Sequence, residues 1–213
     1  MRILQAGATG LVGGRLLPML LAGGHEVVSL GRRPCGVAHP ALREVTTDFT
    51  AIASPGPADA AICALGTTMA KAGSQAAFRA VDEAAVLAFA KAAHEGGCRR
   101  FLAVSAVGAD PGARAFYSRV KGEVEAALGR IGFDRLDLMQ PGLIIGPRAE
   151  RRPAEAIAQT LAPLLDVALV GGLARFRSIP ADDVARAMAA LLQAQGNGVF
   201  IHHYREMRAL SAA

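Results

Sequence analysis

A strand, a glycine turn and a helix follow one another at the start of this chain. Arg2-Ile3-Leu4-Gln5 is a short apolar run that reads as a strand. Ala6-Gly7-Ala8-Thr9-Gly10-Leu11-Val12-Gly13 is the turn, and Gly14-Arg15-Leu16-Leu17-Pro18-Met19-Leu20-Leu21 reads as the helix. In that context a glycine motif reads as a dinucleotide cradle. Glycine reaches backbone angles other residues resist and lets a pyrophosphate approach the main chain. The free N–H groups and the positive end of the helix then face the anion. The spacing is G-x-x-G-x-x-G rather than G-x-G-x-x-G. Gly7, Thr9, Gly10, Leu11, Val12 and Gly13 are the expected cradle residues, with an ordinary tight turn as the alternative.

The rest of the chain repeats the alternation. Strands are expected at residues 26–30, 43–46, 60–64, 100–104, 135–139 and 198–202, with a short one at 178–180. Helices are expected at 75–95, 115–131, 153–165 and 181–193. In the first of these, Phe78, Val81, Ala85, Val86, Phe89 and Ala93 keep a helical rhythm, and Gly96-Gly97 stops it. The link between the second and third strands is rich in Pro and Gly and has room for at most a short helix. Such alternation predicts an α/β, Rossmann-like, doubly wound parallel sheet with a small C-terminal substrate-binding segment. The 213 residues suit one domain over residues 1–213, with no repeat and no linker long enough to split it.

Composition excludes several functions. No apolar run reaches the length of a membrane span, and no cleavable leader is expected before a first strand at Arg2. Cys35, Cys63 and Cys98 are odd in number and lack metal spacing, so reduced thiols and a cytoplasmic location are expected. The net charge is +5, but the basic residues are scattered and not interleaved with aromatics, which disfavours nucleic acid and suits an anionic cofactor. There is no H-E-x-x-H pair, and His202-His203 suit opposite faces of a strand better than one metal.

The ends of the strands carry the chemistry, because ligands of a parallel sheet gather beyond the carboxyl ends of its strands. At the second strand's end an acid would hold a free ribose 2′-hydroxyl, whereas arginine favours a 2′-phosphate. The chain has Arg32 and Arg33 there and no acid, so NADP(H) is expected over NAD(H). Leu65, Gly66 and Thr67 follow the fourth strand, where small residues let the cofactor pass close to the backbone. Ser105 ends the fifth strand, twelve residues before Tyr117. Tyr117 and Lys121 form a Y-x-x-x-K pair that shares one helix face. Reduction of a carbonyl, or the reverse, needs a proton at the developing alkoxide. A free tyrosine titrates near pH ~10, and a nearby ammonium would lower that value. Tyr117 is thus the expected acid–base, Lys121 its tuner and ribose anchor, and Ser105 the group that polarises the substrate oxygen. The plain alternative is a packed tyrosine and a solvated lysine.

These features together resemble the short-chain dehydrogenase/reductases. More specifically, Ala64-Leu65-Gly66-Thr67-Thr68, Lys71-Ala72-Gly73, Gly108-Ala109-Asp110, the Tyr117–Glu125 stretch, Phe133-Asp134-Arg135 and Pro141-Gly142 resemble the Tat-interacting protein (CC3-like) family of atypical members. The resemblance implies the NADP(H)-binding fold and the Ser105, Tyr117, Lys121 set. It implies that Asp48, with Phe49 beside it, contacts the adenine, and that Pro141, Gly142 and Leu143 meet the nicotinamide end. It fixes no substrate. The asparagine that many such enzymes use to hold a relay water has no counterpart, since Asn197 comes far too late. Arg148, Arg151 and Arg152 come after the sixth strand, and Arg148 and Arg152 are candidates for an anionic substrate, with a solvated loop as the alternative.

The expected activity is hydride transfer to or from a small carbonyl or alcohol. The alternatives are an NADP(H)-binding redox sensor acting through protein partners and, against the short substrate segment, an epimerase. The expected partner is a small molecule, with no nucleic acid or membrane, in a monomer or homodimer.

Overall fold

A computed structural model describes residues 1–52, 55–147, 166–167 and 169–212. Seven strands form one parallel sheet: β1 (Arg2–Ala6), β2 (Glu26–Gly31), β3 (Leu42–Thr46), β4 (Ala60–Cys63), β5 (Arg100–Val104), β6 (Arg135–Met139) and, last in the chain, β9 (Gly198–His202). Their order is β3-β2-β1-β4-β5-β6-β9. The order reverses between β1 and β4, which opens a crevice at the carboxyl ends of those two strands. Ile144–Ile145 (β7) and Ile179–Pro180 (β8) make a separate two-stranded parallel pair.

Central strands of a sheet covered on both faces bury every side chain, so they appear in sequence as continuous apolar runs. β4 and β6 are buried at every position, and β1 at all but its first. Successive residues feed opposite faces. Ile3, Val27, Ile62 and Leu102 pack with α1 (Gly13–Ala22), a later helix Ala181–Leu191 and the last helix Tyr204–Ser211. Leu4, Val28, Ala61 and Phe101 pack on the other face with Phe78, Phe89 and Val120 from the middle helices. The edge strands β3 and β9 are largely exposed.

The middle helices run as α2 (Met69–Ala72), α3 (Gln75–Arg79), a π-helical turn Ala80–Ala85, α4 (Val86–Glu95) and α5 (Phe116–Gly129). Ser74 starts α3 by accepting from the Ala77 N–H at 3.1 Å. The expected helix over 75–95 is therefore real but interrupted by the π turn. Ala181–Leu191 is α6 and Tyr204–Ser211 is α7. The α7 helix was not expected; His203 and Glu206 close it with a reciprocal capping box. No helix forms between β2 and β3. The expected helix over 153–165 lies outside the described residues. No helix among the described residues is long and apolar enough to cross a membrane.

Arg135 and Asp137 on β6 form a buried bidentate pair, with Nε to Oδ2 at 2.7 Å and Nη2 to Oδ1 at 2.8 Å. His202 on β9 donates Nε2–H to Asp137 Oδ1 at 2.8 Å, and Arg135 caps the Gln195 carbonyl at 2.6 Å and lies 4.1 Å from the Phe200 ring. This network fixes β9 at the edge of the sheet.

Candidate active site

The glycine turn is shaped by two close approaches. Gly7 has φ +91°, and a Cβ there would stand 2.5 Å from the carbonyl carbon of Ala64, just past the strand across the crevice. A Cβ on Gly13 would run into the Gly7 carbonyl oxygen. The turn closes with Gly10 N–H donating to Gly7 O at 2.9 Å and Gly14 N–H to Gly10 O at 3.0 Å. Gln5, wholly buried beneath it, donates Nε2–H to Gly13 O at 2.8 Å. The Leu11 and Val12 amides, at the start of α1, donate to nothing among the described residues. Unspent N–H groups at a helix N-terminus fit a phosphate.

A cleft of about 670 Å³ runs from this turn across the ends of β4, β5 and β6. Of the residues expected at the site, Thr9, Gly10, Leu11, Val12, Arg33, Leu65, Gly66, Thr67, Ser105, Tyr117, Lys121, Pro141, Gly142 and Leu143 line it. Gly7 and Gly13 lie beneath the lining and set its shape. Arg32 and Asp48 share a separate open depression with Thr46, Thr47 and Ala51. The Asp48 carboxylate is already engaged by the Thr50 N–H and hydroxyl, at 2.9 and 2.7 Å. Phe49 departs from the expectation of a cofactor contact: its side chain is 5% exposed and sits in the core, at φ +66°. Its N–H donates to Thr47 Oγ1 at 3.1 Å, so ring and amide are both engaged within the protein. Arg148 and Arg152 lie outside the described residues.

At the far end, Tyr117 extends from the first turn of α5, where Gly122 lets that helix sit directly on the Asp110–Pro111 backbone. The Phe78 and Tyr117 rings meet 5.6 Å apart, while 39% of Tyr117 remains exposed. Ser105 is 9% exposed and its Oγ makes no hydrogen bond of ordinary geometry. A buried hydroxyl beside a cleft, with the Glu125 carboxyl near it, suits a ligand oxygen. Near Ser105, Gln140 donates Nε2–H to both Glu125 oxygens at 3.0 and 2.9 Å. Burial pushes the Glu125 carboxyl up, against the pull of Ser105 and Gln140.

Three charged lining residues were not expected. Arg15 donates to Leu11 O at 2.6 Å, Pro147 O at 3.1 Å and Asp182 at 3.1 Å. Lys71 lines the cleft from α2. Asp82 matters most. It is 1% exposed on the π turn, pairs with Lys121 Nζ at 2.7 Å, and accepts the Thr67 N–H at 2.7 Å.

Burial of the Tyr117 hydroxyl, with a smaller addition from Asp82, corrects one expectation. Lys121 does not bring the Tyr117 hydroxyl below its ordinary value: burial raises it, Lys121 lowers it, Asp82 raises it again, and it ends above its ordinary value. Lys121 itself is pulled down by burial but held above its ordinary value by Asp82, Tyr117 and Cys63. Burial raises the Cys63 thiol beneath them to about 12, which leaves it inert. No His/Cys/Asp/Glu group among the described residues could hold a metal ion.

A family described as NAD(P)H-binding matches residues 7–130. The rat (Rattus norvegicus) Protein HTATIP2 is 36% identical over 201 residues, 90% of this chain and 81% of its own length. The Protein fmp52, mitochondrial, of Emericella nidulans is 37% identical over 172 residues, 75% of this chain and 73% of its own. Among solved structures, the human epimerase family protein SDR39U1 with NADPH is similar with a TM-score of 0.66 at 22% identity, over 95% of this chain and 74% of that one. MoeE5 in complex with UDP-glucose and NAD is similar with a TM-score of 0.72 at 17% identity, over 100% of this chain and 81% of that one. At such identities the two structures speak for the fold alone.

Proposed function

The chain belongs to the atypical short-chain dehydrogenase/reductase family of NAD(P)H-binding proteins, and from that premise we propose that it is an NADP(H)-dependent oxidoreductase acting on a small carbonyl or alcohol. One observation carries this reading: Ser105, Tyr117 and Lys121, from two separate elements, line the same cleft as the glycine turn. The dinucleotide, when bound, would supply or accept the hydride. The turn with its open Leu11 and Val12 amides would hold the pyrophosphate. Tyr117 would move the proton, and Ser105 would steady the substrate oxygen with its hydroxyl.

Arg32 and Arg33 support NADP(H) over NAD(H). Both are exposed at the end of β2, and neither forms an ion pair with the described residues. Their guanidinium groups suit a 2′-phosphate. We place the protein in the cytoplasm, on its three unbridged cysteines; fractionation tests this, with the organelle named for the fungal relatives as the other outcome.

The deciding experiment is a screen of small aldehydes and ketones followed by NADPH oxidation, with Tyr117→Phe beside the wild-type chain. Turnover by the wild type and its loss in the variant support the reading. Equal turnover in both overturns Tyr117 as the proton carrier, and tight NADPH binding without oxidation across the screen, which is the behaviour of a sensor, overturns the oxidoreductase reading.

A further inference from the structure

Asp82 is an acid where the packing calls for an apolar side chain. It stands four residues after Phe78 and four before Val86, on the stripe that buries Phe78, Ala85 and Phe89. The π turn Ala80–Ala85 widens the helix by one residue and aims this carboxylate at the cleft. There one oxygen takes the Thr67 N–H beyond the end of β4 and the other takes Lys121. A buried carboxylate is costly unless paired, and this one is spent on the ammonium expected to assist Tyr117.

We propose that Asp82 is a positioning residue that pairs with Lys121 in the cleft and so offsets the pull of that ammonium on the Tyr117 hydroxyl, leaving the resting site with the proton that reduction of a carbonyl needs. The inference rests on the oxidoreductase reading and assigns the resting state of its acid–base group. A lone ammonium in a partly dry site would stabilise tyrosinate strongly; with a carboxylate 2.7 Å away, the two fields at Tyr117 oppose each other and the pull of the ammonium is weakened. The other ionisable groups do not restore the balance. Cys63, beside Lys121, stays a neutral thiol at physiological pH. Glu125, one turn on in α5, adds a second carboxyl within reach of Lys121. Arg79 on α3 is already taken by Glu83 and Glu123, at 2.5 and 2.8 Å. Lys71 lines the cleft from its exposed side.

The step balances as a reduction. The carbonyl carbon accepts a hydride, the Tyr117 O–H bond breaks, and its proton forms a new O–H on the substrate. The carbonyl is reduced, the dinucleotide is oxidised, and tyrosinate regains a proton from water in the open cleft.

The test needs no substrate. The chain has two tyrosines and no tryptophan, so in a Tyr204→Phe background the ultraviolet titration of tyrosinate reports Tyr117 alone. In that background the midpoint should lie above the ordinary value of about 10. Asp82→Asn keeps an oxygen for Thr67 but frees Lys121, and should lower the midpoint by about one pH unit or more, a tenfold gain in tyrosinate. A midpoint below the ordinary value with Asp82 intact overturns the inference, whether or not the Asn variant folds. So does an unmoved midpoint in a folded Asn variant. A midpoint that falls as stated, together with no NADPH oxidation by the wild-type chain across the carbonyl screen, upholds the effect of Asp82 on Tyr117 and refutes the oxidoreductase reading instead.

Discussion

The ring of Phe78 stands 5.6 Å from that of Tyr117, with 55° between their planes. Phe78 is itself wholly buried and touches Phe116 at 5.7 Å, so the phenol is steered by the core rather than by a hydrogen bond of its own. Such tilted pairs contribute roughly 0.5–1.5 kcal/mol beyond the area they bury.

That packing makes Tyr117→Phe a clean variant. The ring contact stays, so the melting temperature should hold, while turnover falls by about 10²-fold or more with the loss of the proton carrier. Calorimetry beside steady-state kinetics separates the two. Phe78→Ala should chiefly destabilise the fold, by about 3–5 kcal/mol.

Arg32 and Arg33 should reveal themselves in the choice of cofactor. NADPH should raise the melting temperature more than NADH at equal concentration, because the tighter ligand of the folded state stabilises it more. Replacing both arginines by alanine should weaken NADPH about tenfold or more and leave NADH nearly unchanged. An equal rise with both cofactors in the wild type would show that these arginines only face solvent.

Two glycines separate backbone angle from close approach. Gly24 has φ +73° with nothing within 4 Å of a Cβ, so Gly24→Ala should cost only the left-handed penalty, about 1–2 kcal/mol. Gly7→Ala adds a collision with the Ala64 carbonyl and should cost more in denaturant unfolding, with loss of cofactor binding. Equal costs would mean that the crevice yields.

Asp137 should contribute to acid stability. Burial raises its carboxyl, but His202 and Arg135 outweigh that and hold it below the usual range. A folded value below the unfolded one gives stability that is complete above the unfolded carboxylate value of about 3.9, and that is lost as pH falls through the folded value. Asp137→Asn leaves Arg135 buried without its counter-ion and should cost about 3–5 kcal/mol near neutrality. The gap between variant and wild type should narrow below about pH 4. Urea unfolding across that range measures it.

Much of the fold and the site was legible in the sequence. The central strands announce themselves as apolar runs because both their faces are buried, and the glycine turn, Ser105 and Tyr117 fall where strand ends put them. Asp82 was hidden by the assumption of a regular helix. Val81 fits the apolar rhythm on paper, yet the π turn leaves Val81 half-buried and Asp82 at 1% exposure. The available signal was an acid midway between Phe78 and Val86. Phe49 misled for a related reason: its neighbour Asp48 fits a turn, but only coordinates show the ring turning into the core. The last helix, α7, was legible in His203 and Glu206 three residues apart, a cap that hydropathy does not register.

Arg15 gives the molecule a dependence that runs against chain order. The shape of a loop made near the first residue relies on partners at Pro147 and Asp182, both later than residue 130, where the match to the NAD(P)H-binding family stops. Severing the chain at that point would remove β6 and β9 and turn β5 into an open edge, with Phe101 and Leu102 stripped of their neighbours on β6. The front portion that the family match covers is thus no detachable nucleotide module. A nascent chain would have to emerge almost whole before its opening turn could take its final form.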